Sequence, residues 1–226
     1  MCANYEPTAP RHLRLHLRTL EPTFSYPGEA YPGSRAVFVT AGESEQADFS
    51  PWPGVFGLLP PWAKDDKLAR STYNARSETV AEKPSFRQAW KAKRFCLIPV
   101  QAIFEPNYES GHAVRWRIAR QDGLPFFLAG IWEEAQRQEQ PLWSFSMLTI
   151  NADQHPLMRR FHKPGDEKRS VVLVSPERWQ DWLHASEHAA RLLLQPFNAE
   201  KFTAAAAPRP ARKSVKEHLA EDDPGA

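Results

Sequence analysis

Cys2 carries the most distinctive chemistry of the sequence, because it directly follows Met1. Methionine aminopeptidases remove an initiator Met when the next side chain is small, and Cys meets that condition. The mature chain would then begin with a cysteine whose α-amine and thiol sit on adjacent carbons. Such an amine condenses with an aldehyde to a Schiff base, and the thiol then closes a thiazolidine ring. An ordinary frayed terminus is the competing interpretation of this residue.

Glu105 and His162 are the candidates for moving protons at such a site. At neutral pH roughly a tenth of α-amino groups and a few per cent of free thiols are nucleophilic, so proton-transfer neighbours are needed. Glu105 follows the apolar run 102–104, and partial burial should raise its pKa toward the range of proton transfer. His162 has cationic neighbours such as Arg160 and Lys163, which should lower its pKa and favour the neutral imidazole. The alternatives are a strand-end Glu that faces water and a His with a structural role.

Trp62, Asn74 and Arg76 could contact a ligand. Two prolines precede Trp62 and hold it on a rigid corner, where it could plug the core or stack on an unpaired base. Asn74 and Arg76 flank a small residue, and in an extended segment they would project to the same face. A surface loop with a capping Asn is the alternative there. Further basic residues form either a solvated surface or a phosphate-facing one: Arg87, Lys91, Lys93, Arg94, Arg159, Arg160 and Lys163.

The composition indicates a soluble protein with one good core. The chain has 226 residues, of which 42% are hydrophobic, and a formal net charge of +2 that does not by itself indicate nucleic-acid binding. No apolar run approaches the ~20 residues that span a bilayer, so we expect a cytoplasmic protein that does not bind membranes. Cys2 and Cys96 should stay unpaired, with Cys96 a buried free thiol. No spacing of Cys and His resembles a zinc site, and no glycine-rich phosphate loop is present, so we expect neither a metal nor a cofactor.

The elements that must position these residues are predicted from periodicity and turn residues. Strands are predicted over 35–40, 54–61, 95–100, 113–118, 125–132, 142–150 and 171–174. Helices are predicted over 11–20, where a strand is the alternative, and over 85–92 with Ser85 as N-cap, 176–185 and 187–195. Loops are predicted over 22–34 and 41–53, and a disordered tail from 203.

Several blocks of sequence, in order, are similar to one known family. The chain opens Met1-Cys2-Ala3-Asn4-Tyr5, where that family opens Met-Cys-Gly-Arg-Tyr. The other matching blocks are 56–62, 74–80, 94–105, 127–132 and 148–162. The sequence therefore resembles the SRAP family (SOS response-associated peptidase), the abasic-site processing proteins, from residue 1 to about 184.

The resemblance implies a fold and a division of the chain. The fold would be α+β, a single domain built on a strongly bent, barrel-like mixed or antiparallel β-sheet with flanking helices. The active site would lie in a basic groove. This domain would span 1–202, and a disordered tail would occupy 203–226. We expect a monomer, associated with the nucleoid when it is bound to DNA.

The resemblance also implies a reaction and roles for four residues. Cys2 would form a thiazolidine with the ring-opened aldehyde of an abasic site in single-stranded DNA, and so shield the lesion. Asn74 would hold the Cys2 terminus or the opened sugar by hydrogen bonds. Glu105 would shuttle the proton that opens the sugar and help to reverse the link, and His162 would act as acid and base at the Schiff base. Strand cleavage as a lyase and autoproteolytic removal of Met1 would at most accompany this reaction.

The expected partner is single-stranded DNA that contains abasic sites, or its junctions with duplex. Arg76 would clamp a phosphate, Trp62 would stack beside the lesion, and Arg160 and Lys163 would add phosphate contacts. Three departures from the family pattern stand out: Ala3 replaces a Gly, Asn4 replaces an Arg, and the segment 163–169 after His162 is longer. Two other functions compete with this one, a thiol hydrolase with Cys2 as an N-terminal nucleophile and a non-catalytic single-strand-binding module.

Overall fold

Five strands close a β-barrel in the computed structural model, which describes residues 2–209 apart from 18, 20, 45 and 46. The strands are β1 (Tyr5–Pro7), β2 (Arg35–Ser44), β3 (Ala47–Phe56), β4 (Asn74–Arg76), β5 (Phe95–Asn107), β6 (Val114–Arg120), β7 (Phe126–Arg137), β8 (Gln140–Asn151), β9 (Arg169–Val171) and β10 (Phe202–Ala206). The α-helices are α1 (Pro10–His16), α2 (Arg87–Lys91), α3 (Trp179–Leu183) and α4 (Glu187–Leu193). The barrel runs β5–β2–β3–β8–β7 and back to β5, with β3 and β8 parallel and the other pairs antiparallel. The expected α+β fold on a bent, barrel-like sheet is confirmed.

The remaining strands extend the barrel at two of its members. On one side β1 and β6 pair with β5, and β10 pairs with β6. On the other side β4 and β9 pair with β8. β1, near the N-terminus, and β10 therefore belong to the same extended sheet.

Alternate residues of the barrel strands pack into two different cores, as the two-residue period of a strand requires. On β5, Phe95 and Leu97 belong to one core, whereas Cys96 and Ile98 belong to the other. The helices α2 and α3 cover the first core, and the indole of Trp182 donates to the carbonyl of Cys96 at 2.9 Å. Burial on both faces explains why the strand sequences are continuously apolar. As predicted, Cys96 is a buried free thiol.

The exposed loop predicted over 41–53 is instead a hairpin formed by β2 and β3. Pro51 and Pro53 suggested a loop, because proline cannot donate to a strand ladder. In the hairpin they lie opposite Val39 and Val37, whereas β8 pairs with β3 only further along, at residues 55 and 56. The prolines therefore lie in a part of the strand where the second neighbour is missing, so their lack of an N–H costs little.

The tail predicted from 203 begins too early, because 203–206 form most of β10. Phe202 pairs with Arg120 and Ala206 with Trp116 in antiparallel register. The alanine-rich composition suggested disorder, but the edge of β6 offers a complete ladder of hydrogen bonds. The rest of the predicted tail, 210–226, lies outside the described residues.

Most other predicted elements exist, with shifted ends. The helix predicted over 11–20 is α1, which has Pro10 in its first turn and Leu13 buried; residues 18 and 20 are not described. Ser85 does not cap α2, since the N-cap position is Phe86 and no side chain caps it. The strands predicted over 54–61 and 171–174 are wrong in extent, because β3 ends at Phe56 and β9 at Val171. Within the described chain, no helix combines the length and apolarity that crossing a membrane requires.

Candidate active site

The pairing of β1 with β5 brings Cys2 to Glu105. Tyr5 lies opposite Ile103, and the amide of Phe104 donates to the carbonyl of Asn4 at 2.9 Å. Cys2 is 1% exposed and Glu105 is 2% exposed, so both reactive side chains are buried. Glu105 is therefore not a strand-end carboxylate that faces water.

Burial changes the proton affinity of both groups. Desolvation raises the pKa of Glu105 to about 7, as its position after an apolar run predicts. Burial also raises the pKa of the Cys2 thiol far above its ordinary value, and the charge of Glu105 adds to this effect. Glu105 can therefore give or take a proton near neutral pH, whereas the Cys2 sulfur stays a thiol until its proton is removed.

Asn74 holds the backbone of Cys2 from a strand that pairs with β8. It begins β4, which runs parallel to β8 with Asn74 opposite Met147. Its side-chain Nδ2 donates to the carbonyl oxygen of Cys2 at 2.9 Å. Its Oδ1 is buried with no hydrogen-bond partner among the described residues. The Nδ2 of Asn74 thus positions Cys2, and its Oδ1 remains a buried acceptor.

His162 reaches the site through an unusual backbone conformation. Its φ of 66° is in the left-handed region, which a residue with a Cβ seldom adopts outside constrained sites. The amide of His162 donates to the carbonyl of Pro106 on β5 at 2.9 Å, which fixes this conformation next to Glu105. The Nδ1 atom of His162 then faces Oε2 of Glu105 at 3.5 Å.

A backbone carbonyl determines the tautomer of His162. Its Nε2 lies 3.0 Å from the carbonyl oxygen of Arg169, which can only accept, so Nε2 carries the proton. In the neutral ring Nδ1 is then the unprotonated nitrogen, and it faces Glu105. Burial is the main cause that lowers the pKa of His162 to about 4. The direction is as predicted, but the cause is not the neighbouring Arg160 and Lys163; the cations that contribute are the N-terminal amine and, after it, Lys168.

The carbonyl that orients His162 is itself held by an ion-pair cluster. Arg169 is 3% exposed, and its Nη1 and Nη2 donate to the two carboxylate oxygens of Glu78 at 2.9 Å each. Arg169 also donates to Glu167 at 2.8 Å and to the carbonyl of Thr149 at 2.7 Å. No local sequence pattern indicates a role for Glu78 or Arg169. The only signal was that Glu78 belongs to the block 74–80, which matches the family.

The longer segment after His162 folds back on itself instead of displacing the histidine. Nζ of Lys168 donates to the carbonyls of His162 at 3.2 Å and Lys163 at 2.8 Å. Gly165 takes a φ of 87°, which permits the turn. The extra residues therefore form a closed loop whose two ends, His162 and Arg169, meet through a hydrogen bond.

Two tyrosines that the sequence analysis did not single out also adjoin the site. The hydroxyl of Tyr5 is buried and has no hydrogen-bond partner within the described part of the chain. Burial is the first cause that raises the pKa of Tyr73, followed by the charges of Glu105 and Cys2. Both rings also contact the ring of Phe56 edge-on. They form an aromatic wall beside the polar groups.

The residues predicted to bind DNA lie on the surface. Trp62 is 54% exposed and is not a core plug. Arg76 and Arg160 are exposed and pair with Glu167 and Glu109, at 2.9 Å each. Lys163 is exposed as well. Arg160 lies two residues before His162, and Arg76 pairs with Glu167 in the loop that follows it. Trp62 instead precedes a separate cavity, whose charged lining residues are Lys64, Asp65, Asp66, Lys67, Arg70 and Arg137.

The described residues include no group of three or more His, Cys, Asp or Glu side chains arranged to hold a metal ion. The site thus consists of the buried Cys2, an amide that holds its carbonyl and the closely spaced pair of Glu105 and His162. The sequence model of SOS response associated peptidase (SRAP) matches residues 1–213. The chain belongs to the SRAP family. The match extends past β10, so this strand belongs to the matched region.

Relatives with curated names support the same family. Abasic site processing protein YoqW of Bacillus subtilis is 32% identical over 154 residues, which are 66% of this chain and 65% of YoqW. Abasic site processing protein YMR114C of Saccharomyces cerevisiae is 23% identical over 154 residues, which are 65% of this chain and 40% of that protein. The chain thus matches just under two thirds of the length of YoqW.

Solved structures share the fold of this SRAP protein over nearly its whole length. The crystal structure of a protein from Bordetella bronchiseptica is 34% identical with a TM-score of 0.84, covering 92% of this chain and 100% of that one. A second, from Bacteroides thetaiotaomicron, is 21% identical with a TM-score of 0.74 and covers 91% of each chain, and it shows the fold alone.

Proposed function

We propose that this SRAP protein processes abasic sites in DNA by linking Cys2 covalently to the ring-opened sugar. The relatives named as abasic site processing proteins support the DNA lesion as substrate. The observation that carries the proposal is the joint placement of three groups. The carbonyl of Cys2 is held by Asn74 at 2.9 Å, and Glu105, which lies 3.5 Å from His162, is close enough to the cysteine to raise the pKa of its thiol.

The reaction follows from these groups once Met1 is removed. Glu105 accepts the proton of the C1′ hydroxyl and returns it to the ring oxygen, which opens the sugar to its aldehyde. The α-amine of Cys2 adds to C1′, and loss of one water gives the imine. The thiol then adds to the imine carbon while its proton passes to the nitrogen, which closes the thiazolidine. The net change is one water released per link.

Glu105 and His162 supply what these steps need near neutral pH. A carboxyl with a pKa of about 7 is protonated and ionised in comparable amounts, so it can act in both directions. His162 stays neutral because burial lowers its pKa to about 4, so its Nδ1 offers an acceptor to the protonated carboxyl of Glu105 and leaves the proton there for the sugar. The same pair would serve the reverse reaction.

A thiol hydrolase that uses Cys2 alone is less well supported. Reactive cysteines of that class have a lowered pKa next to a cation or an imidazolium. Here burial raises the pKa of the thiol, and the unprotonated nitrogen of His162 faces Glu105. An α-amine that attacks first does not require a standing thiolate, so the geometry favours the aminothiol.

Single-stranded DNA or a junction with duplex is the form of substrate that Trp62 favours, since a half-exposed indole needs an unpaired base or an open end to stack on. Arg76, Arg160 and Lys163 would contact its phosphates, in part by exchanging carboxylate partners for phosphate.

The test uses the purified full-length chain and single-stranded DNA with one abasic site, separated on a denaturing gel. Intact mass should show that Met1 is absent, and a band of protein linked to DNA should appear. Cys2→Ser should give only a labile Schiff base, trapped by borohydride. An uncleaved N-terminal extension that keeps the Cys2 thiol should abolish the link. A stable link formed by the extended protein would overturn the proposal, and so would turnover of an amide substrate without any link.

A further inference from the structure

A cavity of about 660 Å³ opens beside Cys2, and part of its wall comes from the C-terminal end of the described chain. On one side it is lined by Ala3 and Asn4, which follow the candidate nucleophile, and by Glu105. On the other side it is lined by Arg115, Pro208 and Arg209. The two ends of the described chain therefore meet at one opening.

Arg115 fastens these two ends together. Its Nε and Nη2 donate to Oδ1 of Asn4 at 3.2 Å and 2.8 Å, and Nη2 also donates to Glu29 at 2.8 Å. Its Nη1 donates to the carbonyl of Ala207 at 3.2 Å, and the amide of Ala207 donates back to the carbonyl of Arg115 at 2.8 Å. Glu29 balances the charge of Arg115, and four hydrogen bonds occupy most of its N–H groups. Arg115 is thus a structural residue of this wall.

Arg209 differs from Arg115 in what surrounds it. Its guanidinium lies over the ring of Tyr31, 5.0 Å from the centroid, and its Nη2 donates to the hydroxyl of Tyr31 at 2.8 Å. It is exposed, and it forms no ion pair with any other residue that the structure describes. The ring orients the guanidinium, and among residues 2–209 as described no carboxylate contacts it directly.

We propose that Arg209 binds a backbone phosphate of the DNA strand that enters this cavity, and that β10 exists in part to place it there. The inference rests on the proposed function, which brings a polyanion to Cys2. A guanidinium suits a phosphate because it offers parallel N–H donors. Tyr31 restricts its rotamers before binding, which reduces the entropy lost when the contact forms. The C-terminal segment thereby becomes part of the DNA-binding surface.

The test measures non-covalent binding of full-length protein to single-stranded DNA with one tetrahydrofuran residue, which has no aldehyde and cannot be linked. Arg209→Gln should weaken binding about threefold to tenfold and reduce the slope of log affinity against log salt by about 0.7. Arg209→Lys should keep the slope, and Tyr31→Phe should weaken binding less than Arg209→Gln. The matched control is Lys201→Gln, which removes the same charge at the other end of β10, beside a different cavity. This control should change neither affinity nor slope.

Two further measurements separate a failure of the proposed function from a failure of the Arg209 contact. At saturating DNA with a true abasic site, Arg209→Gln should form the link at the parent rate, because it acts on binding alone. If the parent forms no link at all, the proposed function fails, whereas the binding comparison still tests Arg209. An unchanged salt slope for Arg209→Gln, or a loss equal to that of Lys201→Gln, would overturn the phosphate contact. A loss of rate at saturation without loss of affinity would overturn it as well.

Discussion

The Nδ1 atom of His162 lies 3.5 Å from Oε2 of Glu105, and burial shifts the pKa values of the two groups in opposite directions. The carboxyl keeps its proton up to about pH 7, while the imidazole stays neutral down to about pH 4. Between about pH 4 and 7 the contact therefore joins a protonated carboxyl to a neutral imidazole, and no ion pair forms. A long contact of this kind can shorten to a hydrogen bond when substrate binds.

Glu105→Gln should stabilise the protein at alkaline pH, since the buried carboxylate is costly there. Between about pH 4.5 and 7 the native carboxyl keeps a proton that the unfolded chain releases, so the free energy of unfolding falls as pH rises. The full loss is on the order of 3 kcal/mol above pH 7. His162 has the opposite effect on the free energy of unfolding, which rises with pH between about pH 4 and 6.5. In that range the imidazole is protonated in the unfolded chain and neutral in the folded one.

Urea unfolding of parent and Glu105→Gln at pH 5 and pH 8 measures this effect. Both proteins contain His162, so the difference between their free energies of unfolding reports the Glu105 carboxyl alone. The variant should gain about 1–3 kcal/mol over the parent at pH 8 and little or nothing at pH 5. Glu109→Gln is the control: Arg160 lowers the pKa of this exposed carboxyl, so the variant should not gain stability with pH. A difference between Glu105→Gln and parent that is independent of pH would show that Glu105 is not desolvated as the structure has it.

The same pair should control the rate of link formation. Glu105→Gln keeps the size of the side chain but cannot titrate, so opening of the sugar should slow by about 10²-fold or more. His162→Ala should slow the Schiff-base steps, while binding of tetrahydrofuran-containing DNA stays unchanged in both variants. Single-turnover gels across pH give the rates, and the parent profile should show an apparent pKa near 7 that Glu105→Gln lacks. Parent-like rates in both variants would assign them structural roles.

Parts of this site follow from local sequence rules. The apolar run before Glu105 predicts a desolvated carboxyl, and the structure agrees. Proline before Trp62 predicts a rigid corner, and the indole is exposed there. The resemblance to SRAP supplied the barrel and the grouping of Cys2 with Asn74, which no periodicity could have given, because the two residues are 72 positions apart.

Other parts depend on tertiary contacts that a linear pattern does not contain. The left-handed backbone of His162 is set by the carbonyl of Pro106, and its tautomer by the carbonyl of Arg169. Composition also gave wrong predictions at the two prolines of β3, where a loop was expected, and at the alanines of β10, where disorder was expected. In both places pairing at an edge of the sheet determines the conformation, and it outweighs the local propensity. The sequence therefore indicates which groups react better than it indicates what orients them.

Trp62→Ala should weaken binding to single-stranded DNA by about 1–3 kcal/mol, the value of one stacked base. The matched control is Leu192→Ala, another exposed apolar side chain, which lies beside a different cavity. Fluorescence anisotropy with single-stranded and duplex probes measures both. Equal losses for the two variants, or duplex binding as tight as that of single strands in the parent, would contradict a stacking role.

Glu78→Gln should disturb His162 from a distance, because it removes one carboxylate from buried Arg169. Glu78 is half exposed and Glu167 remains, so the stability loss should be modest, about 1–2 kcal/mol. The link should also form more slowly, with an altered pH profile, since the Arg169 carbonyl orients the imidazole. Glu109→Gln removes an exposed carboxylate that pairs with Arg160 through two hydrogen bonds, and the pH profile should stay that of the parent. If the pH profile of link formation in Glu78→Gln is identical to that of the parent, the ion-pair cluster of Glu78 and Arg169 does not influence the reaction.

Asn74→Ala should slow the reaction through the position of Cys2. The variant loses the 2.9 Å hydrogen bond to the Cys2 carbonyl, so the terminus becomes mobile and the amine spends less time facing C1′. We expect link formation to slow by about 10- to 100-fold at saturating DNA, with a stability loss of about 1 kcal/mol for the bond. Asn198→Ala controls for destabilisation alone, because Asn198 caps a remote 3₁₀ turn by accepting from Glu200 at 2.9 Å. That variant should lose similar stability and keep the parent rate. Equal rates for Asn74→Ala and Asn198→Ala would mean that Cys2 is positioned by β1 and β5 alone.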